Sequence, residues 1–143
     1  MSREAIESTR LREFIPVSLS DAEGAIITGM SKIGGVLVHL YVIPNDMLDR
    51  EIGNGPAHVL LWDLPRLSRI FFPRCPTVRT FLPLHWVVAG TANGAWIQVV
   101  IPATAADQRR DPELFIAGKL ARDIEGVYES VLEQLRPDGV RLP

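Results

Sequence analysis

The sequence predicts an α+β fold, with an antiparallel sheet of about five to six strands, a short N-terminal helix and a long C-terminal amphipathic helix. Three observations carry this. From Ala25 to Pro102, β-rich apolar runs succeed one another without alternating helical patterns, which favours an antiparallel sheet with helices on one face or end. Asn93-Gly94 separates two such runs as a hairpin turn would. Beyond Leu114 the apolar positions Leu120, Ile124, Val127, Tyr128, Val131 and Leu135 recur at helical period.

Taken in order, Ser2 to Glu13 mixes charges with Ala5, Ile6 and Leu11 and predicts the short helix, ended by Pro16. Ser20 to Gly24 reads as a loop, Ala25 to Met30 as a strand, and Ser31 to Gly35 as the turn after it. Val36 to Ile43 is the clearest strand. It is β-branched and apolar on both faces, the pattern of a central strand covered on both sides. Pro44 closes it, and Asn45 to Pro56 is a connection in which Asp46 to Ile52 has the makings of a helical turn. Ala57 to Trp62 is a further strand.

Asp63 to Ser68 is punctuated by Pro65, and Arg69 to Phe72 reads as a short edge strand. Pro73, Pro76 and Pro83 favour extended chain thereafter. The hairpin from His85 to Pro102 follows, its Asn-Gly suited to the positive φ angles of a type I′ turn. Asp111 as N-cap, Pro112 at the first helical position and Glu113 at the positive dipole end open the C-terminal helix. Lys119, Arg122, Asp123, Glu125, Glu129 and Glu133 occupy its polar face. Gly118 and Gly126 each weaken it by about 1 kcal/mol relative to alanine, so packing must hold it.

The length of 143 residues fits a single domain spanning the whole chain, 1–143, with a substantial core. Apolar residues at 47% exclude a disordered chain, and the net charge of −2 argues against a dedicated nucleic-acid binder. One cysteine, Cys75, allows no internal disulfide and suits a reducing compartment. No apolar run reaches the roughly 20 residues that span a bilayer, and the charged start lacks a signal-peptide pattern. A soluble, cytoplasmic protein without membrane contact is expected.

Function is less legible. His39, His58 and His85 lack the spacings that place two rings on one ion, so no metal site is assigned. Strand parity puts His39 with Tyr41, His58 with Trp62, and Trp96 with Gln98. Were those faces to coincide, the six residues would line a small-molecule pocket between sheet and C-terminal helix. Cys75 beside Arg74 has no assignable general base, and no Gly-x-Ser-x-Gly elbow exists, so no catalytic residue is assigned. Gly53-Asn54-Gly55-Pro56 lacks the lysine of a phosphate loop, and no cofactor is implied. From Leu64 to Ala106 there is no acidic residue, while Arg66, Arg69, Arg74 and Arg79 interleave with Phe71, Phe72 and Phe81. Arginine with aromatics is the composition of a protein interface.

Phe72-Pro73-Arg74-Cys75-Pro76-Thr77-Val78, then Phe81, His85 and Asn93-Gly94, resemble the middle of a ubiquitin-conjugating-enzyme-like domain, as does the order helix, strand meander, proline-rich segment, helix. Ile97 falls about where that family's nucleophilic cysteine belongs. The resemblance therefore implies a non-catalytic variant that binds protein partners. Together these readings favour an accessory module that meets a protein partner, or a second copy of itself, through Arg66, Arg69, Arg74 and Arg79. The alternative is a small-molecule-binding domain or small enzyme built on the His39, Tyr41, His58, Trp62, Trp96 and Gln98 faces.

Overall fold

The computed structural model describes residues 8–43, 56–74, 81–103 and 112–136, with the side chains at 70–74 and 112–115 outside that description. Among the described residues, five strands and three helices follow in the order β1 (Ser8–Ile15), α1 (Leu19–Lys32), β2 (Val36–Ile43), β3 (Ala57–Asp63), α2 (Pro65–Arg74), β4 (Leu84–Gly90), β5 (Ala95–Pro102) and α3 (Pro112–Leu135). The strands form one antiparallel sheet in the order β1-β5-β4-β3-β2. The α+β class, the five-stranded antiparallel sheet and the long C-terminal helix are thus as expected. Several elements lie elsewhere than the local pattern suggested.

The first differences concern residues 8–32. Ser8–Ile15 is a strand, not part of a helix; residues 1–7 of the expected helix lie outside the described residues. Alternation turns Leu11 and Ile15 toward the core and Arg10, Arg12 and Phe14 away from it, and pairing with β5 overrides the weak helical spacing. Residues Leu19–Lys32, expected as loop and strand, form α1. Ser18 caps it by accepting a hydrogen bond from the Asp21 amide at 3.1 Å. Gly34, at φ 81°, ends it: its N–H reaches the Ser31 carbonyl and the Gly35 N–H reaches that of Met30. Ala22, Ala25, Ile26 and Met30 are buried at helical spacing, so Ile26, Ile27 and Thr28 are β-branched residues inside a packed helix.

β2 has the predicted bounds and the opposite position. It is an edge strand whose large apolar side chains stay open to solvent, not a central strand covered on both faces. The proline-punctuated segment also differs. Pro65–Arg74 is helix α2, with Pro65 at its first position, where the missing amide would have had no intrahelical partner. Ser68, buried near its start, donates its hydroxyl proton to the Asp63 carboxylate at 2.6 Å. The edge strand expected at Arg69–Phe72 is therefore helical. Asp46 to Ile52 lies outside the described residues.

The hairpin holds with different turn chemistry. Four residues, 91–94, link β4 to β5, and no residue there has a positive φ, so a type I′ turn is absent. Thr91 closes the loop instead: its hydroxyl oxygen accepts from the amides of Asn93 and Gly94, and its N–H donates to the Gly94 carbonyl.

One face of the sheet carries the core. Leu40, Leu60, Trp86, Val99 and Leu11 oppose one another in a row across all five strands, with α1 and α3 packed on that side. Trp86 stacks on Tyr128 of α3, ring centroids 6.2 Å apart. α3 buries Leu120, Ile124, Val127, Tyr128, Val131 and Leu135, the predicted stripe. Where α1 and α3 meet, Gly29 lets Val127 and Val131 come close: a Cβ there would stand 3.0 Å from a Val127 methyl.

Candidate functional site

Parity and register decide which predicted site residues meet. His58 and Trp62 share the helix-covered face with Leu60. His39 and Tyr41 oppose Leu61 and Val59, and so lie on the other face. Trp96 and Gln98 lie on that same second face, since Gln98 opposes Val87 and Val87 opposes Val59. The six residues therefore do not enclose one pocket. Trp62 is fully buried, and its indole N–H has no hydrogen-bond partner among the described residues; the same holds for Trp86.

The second face has its own organisation. A row runs Tyr41, Val59, Val87, Gln98, Arg12 across the sheet, and a neighbouring row runs Ile43, Ala57, Ala89, Trp96, Phe14. At the β1 side, the Arg12 guanidinium sits 4.3 Å from the Trp96 ring centroid while Phe14 meets Trp96 edge-on at 5.4 Å. At the β2 side, His39 and Tyr41 stand edge-to-face at 5.7 Å. Three strand spacings, about 14 Å, separate these two aromatic pairs, too far for one small ligand pocket to join them. His85, on the same face, is exposed.

His58 is the one predicted pocket residue with a polar partner of chemical interest. Its Nδ1 lies 2.6 Å from Oε2 of Glu23 on α1, both side chains being mostly buried. A carboxylate on one ring nitrogen fixes the imidazole's orientation and its tautomer. It also ties α1 to β3. Among the described residues no third histidine, cysteine or carboxylate joins them to form a metal site.

Of the predicted arginines, Arg66 and Arg69 are exposed on α2. The Arg74 side chain and Arg79 lie outside the described residues, as does Cys75.

What pattern reading missed is the edge. Val36, Val38, Leu40, Tyr41 and Val42 are between 38% and 59% exposed, all on β2. Among the described residues this strand pairs with β3 alone. Val38 is the extra residue of a register shift between Leu37 and His39, which bends the strand locally. The opposite edge, β1, carries Arg10, Arg12 and Glu13, charges of the kind that deter strand addition. β2 carries none. The signal was in the sequence as an uncharged apolar run, but burial on two faces and exposure at an edge write the same pattern.

No helix among the described residues is long and apolar enough to cross a membrane. No known protein-family model matches the chain, and the curated proteins contain no match to it. Among solved structures it is similar to the crystal structure of an uncharacterized conserved protein, DUF302, from Bacillus stearothermophilus, at 16% identity and a TM-score of 0.62, over 89% of this chain and 98% of that one. At that identity the likeness is one of fold. It overturns the resemblance to a ubiquitin-conjugating-enzyme-like domain; of that reading's proline-rich stretch, Phe72 to Arg74 belong to helix α2 and 75–78 lie outside the described residues, while the described part of the expected opening helix is strand β1.

Proposed function

We propose that the protein is a non-catalytic association module that works through protein contacts, with the β2 edge at the centre of its contact surface. One observation supports this above the others: five large apolar side chains stand exposed on a single uncharged edge strand. Apolar area removed from water contributes about 25 cal/mol per Å², and an open edge adds unpaired backbone donors and acceptors. Arg66 and Arg69, exposed on α2, are kept as secondary contacts in this reading. Val36 pairs with Asp63, and Asp63 holds Ser68, so α2 begins beside the start of β2. This reading moves the centre of the interface from the arginine segment to the strand next to it.

The test is native mass spectrometry of the protein purified gently from the cells that make it, beside a Val38→Lys, Val42→Lys double variant. Both positions are more than half exposed, so the variant is expected to keep the wild-type circular dichroism spectrum. Wild-type protein should carry a second polypeptide or a second copy, with occupancy at least ten-fold lower in the variant. A bare wild-type monomer, or a complex that ignores both lysines, refutes the proposal.

A further inference from the structure

Resting on that reading, we infer that the occupant of the β2 edge is the β2 of a second copy, paired antiparallel about a two-fold axis at Leu40, so that two sheets join into one of ten strands. The argument is one of self-complementarity. In an antiparallel pair, directly opposed residues point to the same face, so a strand meeting its own image must do so in a register that matches like faces. With Leu40 on the axis, Leu40 meets Leu40; the bulge at Val38 interrupts the alternation, so the face matching runs from His39 to Tyr41. On the other face His39 meets Tyr41, twice. Exposed Leu40 and Tyr41 thereby each gain a neighbour from the copy.

Charge points the same way. Val36–Ile43 contains no aspartate, glutamate, lysine or arginine, so the strand meets its image without like-charge repulsion and offers no charge to select an unlike partner. β1 cannot do this: its own image would bring arginines at 10 and 12 together at the middle of the pair.

Continuity with the core is the third support. The row Leu11, Val99, Trp86, Leu60, half-buried at Leu11 and buried at the other three, ends at Leu40, which is 38% exposed because the sheet stops there. A two-fold axis perpendicular to the sheet continues that row into its copy and keeps both helix layers on one side. The five exposed side chains offer on the order of 400 Å² per copy, against the ~800 Å² that each partner contributes to a standard interface. The ladder hydrogen bonds add free energy and not area, so the interface stays small and the dimer should dissociate on dilution.

The experiment uses the full chain expressed alone, followed by light scattering and sedimentation from about 1 to 100 μM, the range in which an interface of this size changes occupancy. A dimer that dissociates on dilution is expected; a monomer throughout overturns the pairing. Register is tested in a Cys75→Ser background. Leu40→Cys places two thiols across the axis within disulfide reach, whereas Val36→Cys sets its two copies about 27 Å apart. Leu40→Cys should therefore form the covalent dimer at least ten-fold faster, and equal rates overturn the register. The two readings separate cleanly. If the isolated chain stays monomeric while protein from its own cells carries a different polypeptide on β2, the second copy is wrong and the association module stands.

Discussion

At Gly94 the chain leaves no room for a side chain. A Cβ there would run into the carbonyl oxygen of Ile15 and stand 2.8 Å from the Phe14 ring and 2.9 Å from the Pro16 Cα. The obstruction is mostly backbone, so Gly94→Ala should destabilise the protein by at least ~2 kcal/mol. Gly126 is the internal control. It is exposed on α3, a Cβ would meet nothing within 4 Å, and Gly126→Ala should stabilise by up to ~1 kcal/mol. Urea midpoints of the two variants should thus move in opposite directions. Tyr128 sets a limit of another kind. Burial against Trp86, then the charges of Glu13 and Glu129, push its phenol from 10.0 up to about 12. The phenolate is disfavoured in the folded state only, so the stabilisation is complete below pH ~10 and is lost as pH rises through ~12, a swing on the order of 2 kcal/mol. Between pH ~9 and ~11.5 the urea midpoint should fall in the wild type and fall less in Tyr128→Phe; parallel curves would locate the alkaline loss elsewhere.

Among the elements, α1 depends most on its ends. It holds Gly24 and Gly29 and a run of β-branched residues, so intrinsic propensity contributes little. The Ser18 cap and the turn at Gly34 define it, and Ala22, Ala25, Ile26 and Met30 anchor it. Ser18→Ala should cost about 1 kcal/mol in the unfolding free energy, and a cost near zero would show that packing alone sets where this helix starts. α1 also marks how far pattern reading reaches. Ser18 and Asp21 stand at helix-start spacing, a signal the loop-and-strand reading passes over because Ile26-Ile27-Thr28 reads as a strand until the partner helix is known. α3 was legible because its stripe is long and its start bears Asp-Pro-Glu. β2 was legible in extent and misread in environment. Its position depends on where β1 inserts, and that is a long-range pairing no local window contains. The site residues divided for the same reason. Parity within a strand was readable, whereas the register that sets His39 and His58 on opposite faces is a property of neighbouring strands.

The whole molecule is a sheet whose two edges differ in kind. Charges guard β1, while β2 extends the core row into solvent. α1 and α3 lie on one face, and the Glu23–His58 pair links α1 to the strand beside the open edge. The order β1-β5-β4-β3-β2 also sets a timetable for synthesis. The first strand pairs with the last, Ile15 meeting Ala95 and Ser8 meeting Pro102, so β1 leaves the ribosome long before its neighbour exists. At 5–20 residues per second, that wait is about 5–20 s. The arginines and glutamate of β1 then serve the nascent chain before they serve the folded one, keeping an unpaired strand in solution until β5 arrives to receive it.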